Sequence, residues 1–125
     1  MYAFLKEFGP MARGTRSDDP HSRQAIGKRL KTMRCGLGFS GEYMSKRIGS
    51  ASQGQSWGNY EKSHRLPRYE TLETIAQKFG FPILWILHGR EDQLSPEQAK
   101  IIMLGEIRIA EGWRAGGKKA RKSSR

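Results

Sequence analysis

Five short segments with helical periodicity follow one another between Ile26 and Gly89, and a glycine or proline separates most of them. Apolar residues recur in them every three or four positions, which is the spacing of one face of an α-helix. No stretch shows the strict alternation of apolar and polar residues that is typical of a half-exposed strand. We therefore predict an all-α fold in which five short helices form one compact domain.

The first two segments carry clear signals for helix ends. Gly36 and Gly38 are expected to end the first helix. Ser40 is expected to cap the second, which ends at Gly49, where a tight turn suits glycine. The fifth helix is expected over residues 83–87. The core faces predicted for the first four helices are Ile26, Leu30, Met33 and Leu37; Met44 and Ile48; Trp57 and Tyr60; and Leu72, Ile75, Ala76 and Phe79.

The starts of the later helices are predicted from serine and proline. The third helix begins at either Ser50 or Ser52, because both have Gln three residues later, the capping-box spacing. Pro82 is expected at the first position of the fifth helix. Ser95 followed by Pro96 predicts the start of a sixth.

The sixth helix has a broad apolar face, wider than a lone surface helix can leave in water. We expect it either to pack back on the domain, which is slightly favoured, or to meet a second copy in a dimer. The residues of this face are Ala99, Ile102, Met103, Ile107, Ile109, Ala110 and Trp113.

Length and composition allow one domain with tails. The chain has 125 residues, of which 36% are hydrophobic and 15 are glycine, so it can bury only one small core. We predict a flexible N-terminal arm over 1–22, a globular domain over 23–90, the C-terminal helix within 91–113 and a disordered basic tail over 114–125. The native start, Met1 or Met11, stays open.

Positive charge is concentrated in the predicted domain. The chain has a net charge of +11, and residues 23–90 carry twelve Lys or Arg against four Glu. The last fourteen residues add six basic side chains and no acidic one. A basic globular domain indicates a polyanionic partner, with nucleic acid first and an anionic membrane surface second. Solubility alone is the alternative reading of this charge.

Several functional classes lack support in the sequence. Cys35 is the only cysteine, which excludes an internal disulfide and favours the reducing cytoplasm. The sequence shows no signal peptide or membrane span. His21, His64 and His88 lack the spacing of a metal site, and no catalytic constellation is present. We therefore expect no metal, no cofactor and no enzymatic activity.

Four polar residues cluster in the segment between Ser40 and Glu61, where two helices meet at Gly49. Amides and hydroxyls on an exposed helix match the donors and acceptors of base edges, and Gln or Asn favours adenine. A solvated polar face is the alternative. The candidate base-reading residues are Gln53, Gln55, Ser56 and Asn59.

Residues 26–89, about half the chain, resemble the helix-turn-helix domain of the Cro and phage-repressor family, the Xre-like transcriptional regulators. The matching blocks are IGKRLKTMR at 26, GFSGEYMSKRIG at 38, SWGNYEKS at 56, LPRYETLETIAQKFGF at 66 and PILWILHG at 82. The resemblance implies that the helix with Gln55, Ser56 and Asn59 is the recognition helix, with the helix from Ser40 lying across the DNA backbone.

The resemblance also assigns residues that position the protein on DNA. It implies that Arg34 and Glu61 form a pair that buttresses the motif and approaches a phosphate. Phosphate contacts fix the position of a protein along the DNA without reading the base sequence. The predicted backbone-contacting residues are Arg34, Ser40, Lys46, Arg47, Lys62, His64, Arg65 and Arg68.

Three features depart from the family pattern. Gly41 stands where the family usually has Gln, which predicts the loss of one backbone contact. Two extra residues lie between Gly49 and Glu61, which predicts a longer turn and leaves open whether Gln53 lies on the helix. Ser63 stands where Gly commonly ends the recognition helix, so a differently built turn is expected.

The function predicted from the sequence is a sequence-specific, double-stranded-DNA-binding transcriptional regulator of bacterial or phage type. We expect a repressor that binds a palindromic operator as a homodimer, with the sixth helix as the dimer element. The alternative is an antitoxin or adaptor that binds another protein through Ile102, Ile109 and Trp113, with DNA binding secondary.

Overall fold

The computed structural model describes residues 22–52 and 54–115, and within these ranges the chain forms six α-helices and no strand. The helices are α1 (Arg23–Leu37), α2 (Gly41–Ile48), α3 (Trp57–Glu61), α4 (Tyr69–Phe79), α5 (Ile83–His88) and α6 (Pro96–Ala110). Short 3-10 turns follow α2 at Gly49–Ser52 and α5 at Glu91–Gln93. The predicted all-α class is confirmed. Gln53, the proposed arm before Ser22 and the tail beyond Ala115 lie outside the described residues.

Helix α1 ends, and helix α2 begins, at the capping residues that the sequence predicts. Gly38 ends α1 in a left-handed conformation with φ 85°, which glycine adopts without steric cost. The Ser40 hydroxyl then accepts a hydrogen bond from the Tyr43 amide at 3.0 Å and starts α2. The polypeptide therefore passes from α1 to α2 through a turn of only three residues, 38–40.

The core lies between α1 and the next four helices. Leu30, Met33, Met44 and Ile75 are fully buried, and Trp57 fills the space between them. These side chains come from four different helices, so the small core holds the whole domain together. The predicted inward faces of α1 to α4 are confirmed by this cluster, although Leu37 and Phe79 pack against it only partly buried and Ala76 is partly buried outside it.

Helix α6 packs on α1 through two glycines that let the backbones approach closely. A Cβ atom placed on Gly36 would lie 2.1 Å from the Ile101 carbonyl oxygen, and one on Gly105 would lie 2.1 Å from the Thr32 carbonyl oxygen. The prediction that Gly36 ends α1 is therefore wrong, because Gly36 lies inside the helix at this crossing. The favoured expectation that the sixth helix packs back on the domain is confirmed.

The start of α6 also agrees with the sequence. The Ser95 hydroxyl accepts from the Gln98 amide, and the Gln98 side chain accepts from the Ser95 amide, which completes a capping box. Pro82, in contrast, lies at the N-cap of α5, one residue before the predicted position. Boundaries of this kind vary by a residue without changing the fold.

The crossing at Gly105 determines which side of α6 faces water. Ile102 packs against the core, and Ile109 and Trp113 are half-buried. The three residues predicted to bind a partner protein are therefore partly covered, and their role in partner binding stays a prediction. Met103 and Ile107 are exposed instead, because they lie on the opposite side of the helix from Gly105.

Candidate nucleic-acid interface

Arg34 and Glu61 connect α1 to the end of α3. Arg34 Nε donates to Glu61 Oε2 at 2.6 Å, and a second guanidinium nitrogen donates to Oε1 at 3.1 Å. Arg34 also donates to the Phe39 carbonyl oxygen at 2.9 Å, and the Trp57 indole donates to Glu61. Burial alone would lower the pKa of Arg34, but its hydrogen bonds to Glu61 and the nearby negative charge raise the pKa. The pair is charged and holds α3 against α1.

The segment between α2 and α3 covers residues 49–56, and its extra length relative to the family stays a prediction. After α2, the 3-10 turn Gly49–Ser52 precedes Gly54, which has φ 81°. The Ser45 hydroxyl on α2 accepts from the Trp57 amide at 2.8 Å and so caps α3 from the neighbouring helix.

The start of α3 differs from both sequence predictions. Neither Ser50 nor Ser52 caps this helix; Ser56 occupies the N-cap position, without a side-chain capping hydrogen bond. Gln55 therefore precedes the helix, Ser56 is its N-cap residue, and Asn59 lies within it. The predicted base-reading residues thus lie on a loop and one helical turn and not on a continuous helix face.

Gln55 and Asn59 are linked by a hydrogen bond, with Asn59 Nδ2 donating to Gln55 Oε1 at 3.0 Å. Gln55 lies at the edge of two grooves. One, of about 240 Å³, is lined by Gln55, Tyr60, Arg65, Leu66 and Arg68. The other, of about 640 Å³, is lined by Gly41, Glu42, Ser45, Gly54, Gln55, Ser56, Trp57 and Gly58. The fold thus brings two predicted base-reading residues beside two predicted phosphate contacts.

The turn after α3 positions the basic residues that follow it. The Asn59 carbonyl oxygen accepts from the amides of His64 at 2.9 Å and Arg65 at 3.1 Å. Ser63 has φ 68°, a left-handed conformation that is unusual for a residue other than glycine, and its hydroxyl donates to the Arg23 carbonyl oxygen at 3.2 Å. The backbone at Ser63 therefore adopts the left-handed conformation that glycine favours. The residue type differs from the family pattern, but the expected difference in the turn is not found.

Other predicted backbone contacts are accessible but lie apart from Gln55. Lys46 and Arg47 are exposed on the last turn of α2. Lys62 is exposed at the end of α3. None of these three lysine and arginine side chains lines the two grooves beside Gln55.

A third groove, of about 490 Å³, lies at the N-terminus of α2. Its lining includes Ser40 and Arg34 together with Lys31 and Arg114, which the sequence reading did not select. Lys31 lies three residues before Arg34, so helical spacing could have found it. Arg114 follows the C-terminal end of α6 and is brought here only by the packing of α6 on α1. The Trp113 ring in this groove is contacted by Arg108, whose guanidinium carbon lies 4.9 Å from the ring centroid.

Cys35 has the environment of a buried structural cysteine. The side chain is 1% exposed, and burial raises the pKa of the thiol. Within the described residues no group of three or more His, Cys, Asp or Glu could hold a metal ion. Among the helices of those same residues, none has both the length and the apolar character needed to cross a bilayer.

Comparison with known proteins agrees with this geometry. A family model described as a helix-turn-helix domain matches residues 27–91, slightly more than half of the chain. The chain belongs to this helix-turn-helix family. The match runs from within α1 to just past the end of α5 and stops before α6, and it agrees with the resemblance to Xre-like regulators. No curated protein and no solved structure matches the chain. As a helix-turn-helix protein it is assigned to the DNA-binding regulators.

Proposed function

We propose that this protein is a sequence-specific regulator of transcription, and more narrowly a repressor that binds a palindromic operator as a homodimer. The observation that carries the proposal is that Gln55 lines one groove together with Arg65 and Arg68 and accepts a hydrogen bond from Asn59. Amides that can read bases lie next to guanidinium groups that can bind phosphates. This is the arrangement that direct readout of a major groove requires.

The amide pair has a suitable hydrogen-bonding pattern for a base. Gln55 accepts from Asn59 and still carries two N–H donors, while the Asn59 side-chain oxygen is an acceptor. Adenine presents an acceptor at N7 and a donor at N6 in the major groove. The mutual hydrogen bond restricts both side chains before DNA binds, which lowers the cost of ordering them. Ser56 and Gln53 are proposed as further base contacts.

The DNA backbone is proposed to run past α2 and the turn after α3. Exposed cations there would fix the position of the protein along the DNA, and Arg34 would hold α3 in place through Glu61 while approaching a phosphate. The proposed backbone-contacting residues are Arg34, Ser40, Lys46, Arg47, Lys62, His64, Arg65 and Arg68. The basic tail would add sequence-independent phosphate contacts.

A selection from random duplexes at a stated salt concentration tests the function. We expect enrichment of a palindrome whose half-sites lie about one helical turn, roughly 34 Å, apart, with A·T pairs at the positions read by Gln55 or Asn59. Failure to enrich any sequence over the starting pool, with a folded protein, contradicts the proposal. Expression of a reporter from the selected site then separates repression from activation.

The second candidate is an antitoxin or adaptor whose DNA binding is secondary. It is favoured by the exposure of Met103 and Ile107 on α6. Purification of the protein at native expression level separates the candidates, because a stoichiometric second protein supports the adaptor and a homodimer supports the regulator. In both cases the proposed location is the cytoplasm, at the DNA.

A further inference from the structure

Helix α6 exposes a compact apolar patch. Met103 is 61% exposed, Leu104 39% and Ile107 48%. Among the described residues, seven large hydrophobic side chains are exposed, and these three fall within five positions of one helix. Scattered exposed apolar residues need no explanation, but adjacent ones on one helix face indicate an interaction surface.

The packing of α6 on α1 fixes this patch on the outside. Gly105 meets the Thr32 carbonyl, and Arg108 Nη1 donates to the Cys35 carbonyl oxygen at 2.7 Å. At about 100° per residue, Met103 and Ile107 each lie roughly 160° around the helix from Gly105. Rotating α6 to bury them would break both contacts with α1. The patch therefore stays on the outside of the domain, where a partner can reach it.

Charges at the two ends of the patch are opposite in sign. Lys100 lies one turn before Leu104, and Glu111 lies one turn after Ile107, and both are exposed. Within the described residues of α6, Lys100 is the one exposed basic side chain, while Glu97 and Glu106 lie at the edges of the face. A helix with this pattern is complementary to an antiparallel copy of itself.

We propose that α6 pairs with α6 of a second copy in an antiparallel arrangement. The two-fold axis crosses the exposed face of the helix at the level of Gly105 and Glu106. Leu104 of each copy then faces Ile107 of the other, and Lys100 of each copy faces Glu111 of the other. A parallel pair would place Lys100 against Lys100 and Glu111 against Glu111, and like charges at close range are unfavourable. An isologous contact of this kind uses the same patch on both subunits.

This pairing rests on the proposed function, because a palindromic operator needs two reading surfaces, one from each subunit. A single pair of 15-residue helices is smaller than a standard stable interface of roughly 800 Å² per partner. We therefore expect a weak dimer in free solution that is tightened when both subunits bind adjacent half-sites.

Sedimentation equilibrium of the full chain without DNA tests this pairing. Lys100→Glu and Glu111→Lys should each weaken the dimer at least tenfold, because each places two like charges together. The double variant should return to within threefold of the wild type, because it restores both ion pairs with their signs exchanged. Ile107→Asp should leave only monomer. Lys78→Glu, the same charge change on an exposed residue of α4, should leave the dimer unchanged.

The outcomes separate this inference from the function. A wild-type chain that stays monomeric at millimolar concentration, or a double variant no stronger than either single variant, overturns the pairing. A stoichiometric different protein on α6 overturns it as well. Thermal unfolding of each variant checks that the domain is folded. A wild-type dimer that binds no duplex refutes the DNA-binding function and leaves the pairing intact.

Discussion

Arg34 and Glu61 are 27 residues apart in the chain and are joined by two hydrogen bonds, the shorter of 2.6 Å between Arg34 Nε and Glu61 Oε2. Their side chains are only 14% and 10% exposed, so the pair lies largely out of solvent. The same carboxylate accepts from Trp57, the first residue of α3. The position of the proposed reading surface thus depends on one charge pair behind it.

Replacing Glu61 with Gln should destabilise the domain by about 2 kcal/mol. The change keeps the size of the side chain but leaves the Arg34 charge with no carboxylate, and removing one member of a buried pair is strongly unfavourable. Urea unfolding gives the free energy. Asp92→Asn is the matched control, because the Arg90–Asp92 pair is exposed and its loss should have no measurable effect. Equal effects at both sites would contradict the structural role of Glu61.

Replacing Gly105 with Ala should destabilise the chain by about 3 kcal/mol or more. The added methyl group would lie 2.1 Å from the Thr32 carbonyl oxygen, so α6 would have to move away from α1. Gly58→Ala is the contrast, because the nearest atom to its Cβ would be 4.0 Å away and alanine is the better helix former. It should raise stability by up to about 1 kcal/mol. Thermal unfolding of both variants measures the difference.

Replacing Ser63 with Gly should relieve backbone strain. Ser63 has φ 68°, where a Cβ atom costs about 1 kcal/mol. Ser63→Ala is the control, because it loses the same hydrogen bond to Arg23 and keeps the strain. We expect the Gly variant to be more stable than the Ala variant by about 1 kcal/mol in urea unfolding. The reverse order would show that the turn relaxes out of the left-handed conformation.

Cys35 should react with thiol reagents only when the domain opens. Its side chain is buried, and burial raises the pKa of the thiol, so the reactive thiolate is rarer in the folded state than in the unfolded chain at the same pH. Because the folded pKa of the thiol is the higher one, its contribution to stability is fully present below the unfolded pKa and is lost as pH rises from there through the folded pKa. Alkylation at pH 8 should be slow in buffer and fast in denaturant. Rapid alkylation of the native protein would contradict the burial of the Cys35 side chain.

Local sequence signals were sufficient for most of the helix ends. Ser40, Gly38 and Ser95 act through neighbours within four residues, so their roles follow from spacing alone. The core faces of α1 to α4 also follow from periodicity. The Arg34–Glu61 pair spans 27 residues and was available only through the family resemblance.

The features that spacing could not predict depend on distant partners. Glycine commonly ends helices, but Gly36 is there because it lies against the Ile101 carbonyl oxygen. That residue is 65 positions further along the chain. The start of α3 is fixed by the Ser45 hydroxyl of the preceding helix, so the capping-box spacing at Ser50 and Ser52 was misleading. The accessible face of α6 likewise follows from its crossing with α1.

The most direct test of the proposed reading surface compares binding of one selected duplex with binding of a scrambled duplex. For Gln55→Ala, the ratio of the two dissociation constants should fall about tenfold, because a base contact contributes about 1–3 kcal/mol of discrimination. For Arg65→Ala, both affinities should fall together, the ratio should stay constant, and the salt slope should decrease by about 1. An unchanged ratio for Gln55→Ala and for Asn59→Ala would contradict the assignment of this surface to base recognition.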